Sequence, residues 1–133
     1  MMYLLDTNVC NRFLNRRSQP LIEKFTKANP DEILLCSVVK AELFYGANKS
    51  NNPLKALKIQ REFCGRFKSL YFDDDAANVY GEIRSKLEKT GRIIGPNDLL
   101  IASIAVANNV TLVTHNTKEF SRVEGLKLED WEE

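Results

Sequence analysis

One histidine, His115, stands in the whole 133-residue chain. That excludes a two-histidine acid–base pair and the common Cys/His zinc patterns. Cysteine is nearly as scarce: Cys10, Cys36 and Cys64 are odd in number, widely spaced, and form no C-x-x-C pair. Set among apolar neighbours, they are expected to be reduced, packed thiols of a cytoplasmic protein. No apolar run is long enough to span a membrane, and no basic start leads into an apolar stretch and cleavage site. A soluble protein with no membrane partner is therefore expected. The patterns G-x-x-x-x-G-K-[ST], G-x-G-x-x-G and G-x-S-x-G are missing too, so nucleotide-fold and serine-hydrolase readings lack support. A dominant charge is also lacking. The net charge is +1, although residues 1–95 carry +5 and residues 96–133 carry −4. Attraction of the whole molecule to nucleic acid is weak at this balance, so any such binding must use local patches.

What is present is an ordinary globular composition, 44% apolar and 28% charged, in a length that suits one domain over residues 1–133. Short apolar runs at 2–5, 33–37, 69–72 and 110–114 have strand length, the last rich in β-branched residues. Helical patterns lie between them, at 20–28, 38–47, 53–67, 74–90 and 96–109. In the third of these, Ala56, Ile59, Phe63 and Phe67 form an apolar stripe, and Lys55, Lys58 and Arg61 lie on the rest of the wheel. Residues 96–109 are apolar nearly all round, which predicts a buried central helix. Strands alternating with helices predict an α/β fold with a parallel sheet. The stretch 48–53 reads as a polar loop and "EDWEE" as an acidic tail.

The chemistry lies in the carboxylates. Open α/β sheets place their sites beyond the carboxyl ends of the strands, and Asp6 ends the first strand in "MYLLDTN". An aspartate there also suits a cap for the following helix, and the residues alone leave both roles open. Glu42 sits in "VVKAELFYGA" with Lys40 as the only other charge. The two are separated by about 160° around a helix, so one solvent face does not serve both. Lys40 keeps its charge in water on a long stem, which makes Glu42 the better candidate to point into a cleft, with a solvated rim glutamate as the other role left open. Asp98 falls at the third position of the helix opened by Pro96, where it complements the helix dipole or serves the site. Asn116 follows the last strand, with Glu119 one turn later. Three carboxylates converging at one edge repel each other, and a hard divalent cation such as Mg²⁺ or Mn²⁺ relieves that repulsion. Such a site hydrolyses phosphodiesters. Asp73, Asp74 and Asp75 read instead as cap and first-turn acids, and His115 as an incidental loop residue.

The stretches "LLDTN", "SVVKAELFYG", "IGPNDLLIASIAVANNVTLVTHNTKEF" and "VEGLKLEDW", in that order, resemble the PIN-domain ribonucleases. Within them the chain is similar to the VapC toxins of bacterial toxin–antitoxin pairs, from Tyr3 to Trp131. The resemblance implies a PIN-like three-layer α/β/α fold with a short central parallel sheet. It implies Mg²⁺- or Mn²⁺-dependent cleavage of a structured RNA such as a tRNA, blocking translation. Its catalytic and metal-binding acids map onto Asp6, Glu42 and Asp98, with Thr7, Asn8 and Ser37 at supporting polar positions. Asn116 stands where the family often has a fourth acid, which puts a second metal in question, and Glu119 is the candidate to compensate. A homodimer and a co-encoded VapB-type antitoxin, joined in a hetero-oligomer, are implied as well. Arg12, Arg16 and Arg17, near the first motif, are candidate RNA contacts.

Two other classes compete. A catalytically silent PIN-fold module that binds RNA or protein is opposed by the intact Asp6, Glu42 and Asp98. A phosphoaspartyl transferase of the haloacid dehalogenase pattern needs a second aspartate two residues after Asp6, where this chain has Asn8.

Overall fold

The central strands are buried on both faces and so read as short, nearly continuous apolar runs rather than alternating ones. In the computed structural model, which describes all of residues 1–133, β1 (Tyr3–Leu5), β2 (Ile33–Cys36) and β4 (Thr111–Val113) fill the middle of the sheet. The edges are β3 (Lys68–Leu70) and β5 (Lys127–Glu129). All pairings are parallel, in the order β3-β2-β1-β4-β5. Tyr3 is in register with Ile33 on one side and Thr111 on the other. The chain runs outward one way from β1 to β2 and β3, then returns to lay β4 and β5 on the other side. The switch point therefore falls between β1 and β4, where a doubly wound sheet opens its crevice.

Seven helices cover the sheet in a three-layer α/β/α arrangement. They are α1 (Thr7–Leu14), α2 (Gln19–Lys27), α3 (Ser37–Asn48), α4 (Pro53–Cys64), α5 (Asp74–Lys89), α6 (Pro96–Ala107) and α7 (Thr117–Phe120). Local chemistry sets their starts: the side chains of Asp6, Ser18, Asn52 and Asp73 each accept a backbone N–H of the turn they open. Gly91, at φ +66°, turns the chain after α5 in the left-handed region that glycine tolerates. As the apolar pattern predicts, α6 is the central helix, with Leu99, Ile101, Ala102, Ile104 and Ala105 buried. Its buried Ser103 hydroxyl donates to the Leu99 carbonyl at 2.7 Å, so no polar group is stranded there. A single cluster of 30 buried apolar residues joins the layers.

Four expectations are corrected. The third strand runs over Lys68–Leu70, not 69–72, and leaves Tyr71 and Phe72 exposed beyond the sheet edge. Helix α4 ends at Cys64, and a turn through Gly65 carries Phe67 into the core. Ile59 of the predicted stripe is 44% exposed. The C-terminal "tail" is structure: β5 joins the sheet, and Trp131 is buried edge-on to Tyr3 with ring centroids 5.2 Å apart. Strand β5 (Lys-Leu-Glu) carries one apolar residue between two charges, too little pattern to announce a strand.

Candidate active site

Asp6 sits at the carboxyl end of β1, at the switch point. Its N–H continues the β1–β4 ladder by donating to the Val113 carbonyl at 3.1 Å. Its Oδ1 accepts the Val9 N–H at 2.8 Å and so caps α1. Its Oδ2 accepts the Thr114 hydroxyl, from the end of β4, at 2.6 Å. The two roles open to Asp6 on sequence are thus compatible, since one carboxylate caps the helix and faces the crevice. Burial raises its pKa, the bonds from Thr114 and Val9 pull it back down, and the charges of Glu132 and Glu42 push it up.

Glu42 extends from the middle of α3. Its Oε1 accepts the Thr7 hydroxyl, and its Oε2 accepts the Asn97 amide at 3.3 Å. Asp98 stands at the third position of α6, after Gly95 and Pro96, as the Pro96 rule predicts. Glu119, from α7, accepts the Gly95 N–H at 3.0 Å on Oε1 and the Asn116 amide at 2.8 Å on Oε2. Partial burial raises the Asp98 pKa to about 7, aided by the charge of Glu119 and then by those of Asp6 and Glu42. Those donors, the Gly95 N–H first, hold Glu119 below its ordinary value. The two acids are thus pushed apart, Asp98 upward and Glu119 downward. Four carboxylates from four elements feel one another here.

They do not form a closed ligand cage. No group of three or more His, Cys, Asp or Glu side chains stands close enough together to close around a metal ion. Three of the four acids are held by donors of their own: Asp6 by Val9 and Thr114, Glu42 by Thr7 and Asn97, Glu119 by Gly95 and Asn116. The donor set still fits a hard divalent cation. All the ligating atoms are oxygens, each carboxylate retains lone pairs, and the proton held by Asp98 marks a local excess of negative charge.

The PIN domain family model matches residues 3–126. The chain belongs to the PIN-domain family. It is 42% identical to "Ribonuclease VapC2" of Rickettsia felis over 99% of both chains. It is 38% identical to "tRNA(fMet)-specific endonuclease VapC" of Shigella flexneri over 98% of both. Among solved structures, the crystal structure of VapBC2 from Rickettsia felis bound to a promoter DNA fragment superposes with a TM-score of 0.88 at 39% identity, covering 98% of this chain and 99% of that one. Within the PIN family the chain is thus of the VapC kind.

Two open hollows flank the acids of this PIN domain. One is wholly polar, lined by Asp6, Asn8, Asn11, Arg12, His115 and Asn116. The other, lined by Thr7, Val38, Ala41, Glu42, Tyr45 and Asn97, is half apolar. Among the supporting residues, Thr7 binds Glu42, Asn8 lines the polar hollow and Asn116 binds Glu119, whereas Ser37 only opens α3, half-buried. Of the three arginines, Arg12 lines the polar hollow. Arg16 and Arg17 are exposed past the end of α1, outside both hollows.

Sequence reasoning passed over several residues of this PIN site. Thr114 fixes Asp6, Asn97 holds Glu42, and the Gly95 N–H holds Glu119. Their signal was adjacency: each stands one to three residues from an acid or amide already singled out. The C-terminal acids were missed for another reason. Asp130 and Glu132 flank Trp131, and the burial of that tryptophan carries both inward. Asp130 takes His115 Nδ1 at 2.9 Å and raises that histidine's pKa, so His115 is tied to the rim of the site.

Proposed function

We propose that this chain, one domain over residues 1–133, is a metal-dependent endoribonuclease and the toxin of a VapBC-type pair. Its substrate is a structured RNA of the tRNA class, and growth is arrested through translation in the cytoplasm. The observation that carries this reading is the electrostatic cluster of Asp6, Glu42, Asp98 and Glu119 at the sheet's switch point, in a chain of the VapC kind. One sheet and one core cluster support the single domain. No helix is long and apolar enough to cross a membrane.

Asp6, Glu42 and Asp98 are the residues that hold the cation, Mg²⁺ with Mn²⁺ as substitute. When bound, the cation supplies the positive charge that acidifies a water and stabilises the oxygen leaving phosphorus. The chain's own contribution is placement. Thr114 and Val9 fix the Asp6 carboxylate, so it enters the reaction without reorganising. Thr7 and Asn97 orient Glu42 from two sides. Asp98 holds a proton against Glu119 until a positive charge makes its carboxylate the better form. The same acids suit a guanidinium offered by a VapB-type antitoxin, since arginine pairs with carboxylates bidentately. A homodimer joined with such an antitoxin in a hetero-oligomer completes the assembly.

Incubation with tRNA tests this. Cleavage is expected with Mg²⁺, lost on chelation and restored by Mn²⁺. Cleavage that persists in excess chelator overturns the metal-dependent reading. Tight tRNA binding with no cleavage under any divalent ion points to the silent binding module instead.

A further inference from the structure

The polar hollow beside Asp6 contains one fixed positive group, and its placement is unusual. Arg12 Nε donates to Glu132 Oε1 at 2.6 Å. The Glu132 side chain is only 5% exposed, whereas that of Arg12 is 44% exposed. Glu132 is itself anchored, because its N–H donates to Asp130 Oδ1 at 2.9 Å and the preceding Trp131 is buried. Its second oxygen, Oε2, is buried without any hydrogen-bond partner. Glu132 also adds its negative charge to the field at Asp6. A half-satisfied buried acid that repels its neighbour is poorly explained by stability. It is well explained as a clamp on the guanidinium. The bond through Nε fixes the plane of the fork and leaves both Nη groups without a partner in the chain, in a hollow whose other walls include the amides of Asn8 and Asn11.

We infer that Arg12, oriented by Glu132, is a binding subsite for a phosphate of the RNA substrate, adjacent to the one cleaved at the acid cluster. The inference rests on the nuclease reading and deepens it. The two Nη groups offer parallel donors to two phosphate oxygens, a geometry lysine does not reproduce. The uncharged amides of Asn8 and Asn11 line the approach without adding anionic repulsion. Arg12 is the residue that touches substrate, and Glu132 is a positioning residue.

The experiment measures binding of bulk deacylated tRNA in Mg²⁺ as a function of salt, on an Asp98→Asn background that keeps the RNA intact. Arg12→Gln is expected to weaken binding about tenfold and to reduce the slope of log K against log salt by about 0.7–0.9. Arg12→Lys should restore the slope but only part of the affinity. Glu132→Gln is the decisive arm for positioning. As a mere surface charge, its removal tightens binding to a polyanion, whereas loss of the clamp weakens binding with the slope kept. Unchanged affinity and slope in Arg12→Gln overturns the subsite, and tighter binding by Glu132→Gln overturns the clamp. Should Glu132→Gln fail to fold, the two exposed Arg12 variants decide the subsite alone. Cleavage of the same tRNA by the parent chain with Mn²⁺ is run in parallel. Failure there sinks the nuclease reading, while the Arg12 arms still report on phosphate binding.

Discussion

The two walls of the site hold their carboxylates in opposite ways. On the sheet wall, Asp6 is buried to 5% exposure, yet both its oxygens accept hydrogen bonds from groups fixed by β4 and α1. On the helix wall, Asp98 and Glu119 project from the starts of α6 and α7, where partial burial and the Glu119 charge raise Asp98 to about 7. Burial pushes the pKa of both acids up; donors oppose it at Asp6, and a second acid adds to it at Asp98. The deeper carboxylate is supported by donors, and the shallower one faces another acid. Positive charge is needed most on the helix wall, and geometry is supplied mostly by the sheet wall.

The largest effect is expected from removing either wall's charge. Asp6→Asn keeps the N-cap, since asparagine caps as well as aspartate, and should fold normally. It and Asp98→Asn should each lower the rate of tRNA cleavage on the order of a thousandfold, read from a gel time course with Mn²⁺. Turnover near the parent rate by either folded variant would contradict its role as a ligand.

Making the sheet wall resemble the helix wall is the next test. Thr114→Val removes the hydroxyl that donates to Asp6 and accepts the Asn116 N–H at 3.0 Å, without changing side-chain shape. Stability in urea should fall by about 1–3 kcal/mol, and the acid limb of the cleavage pH profile should move upward. An unmoved profile would show that Asp6 does not depend on this bond.

The helix wall makes its own pH prediction. Asp98 titrates higher in the folded chain than in the unfolded one, from 3.8 to about 7, so the folded state binds more protons between those values. Metal-free stability should therefore be greatest below the unfolded value and decline as pH rises towards 7. Asp98→Asn should flatten this decline and melt higher than the parent at neutral pH, measured by thermal denaturation in chelator.

A smaller effect is expected at Asn116, whose amide now donates to Glu119 at 2.8 Å. Asn116→Asp replaces that donor with a fifth acid. The metal-free variant should melt slightly lower and bind a second Mn²⁺ more tightly in calorimetric titration. Identical isotherms for variant and parent would mean that this position does not take part in metal binding.

Much of this comparison was legible in the sequence, and the illegible part has a physical pattern. Asp6, Glu42 and Asp98 announced themselves because each breaks an apolar run, and a charge in such a place demands a reason. The central strands and α6 were equally plain, since burial on all sides leaves a continuous apolar signal. Strand β5 and the Arg12–Glu132 pair were not, because a three-residue edge strand and a contact 120 positions apart leave no local period. The partition of protons between Asp98 and Glu119 was hidden for the same reason. It depends on which donors each acid finds after folding, and neither the Gly95 N–H nor the Asn116 amide carries that information in its residue type.

The most direct test of the central claim is the proton count on metal binding. A cation held by Asp98 must expel the proton that Asp98 shares with Glu119. Mn²⁺ added to the parent chain in weak buffer at pH 7 should release about half a proton per metal ion bound, followed with a pH indicator. The release should rise as pH falls towards 6, and the Asp98→Asn variant should release almost none and bind the ion far more weakly. Equal affinity and equal proton release by parent and variant would contradict the account, because the cation would then be held somewhere other than between the two walls.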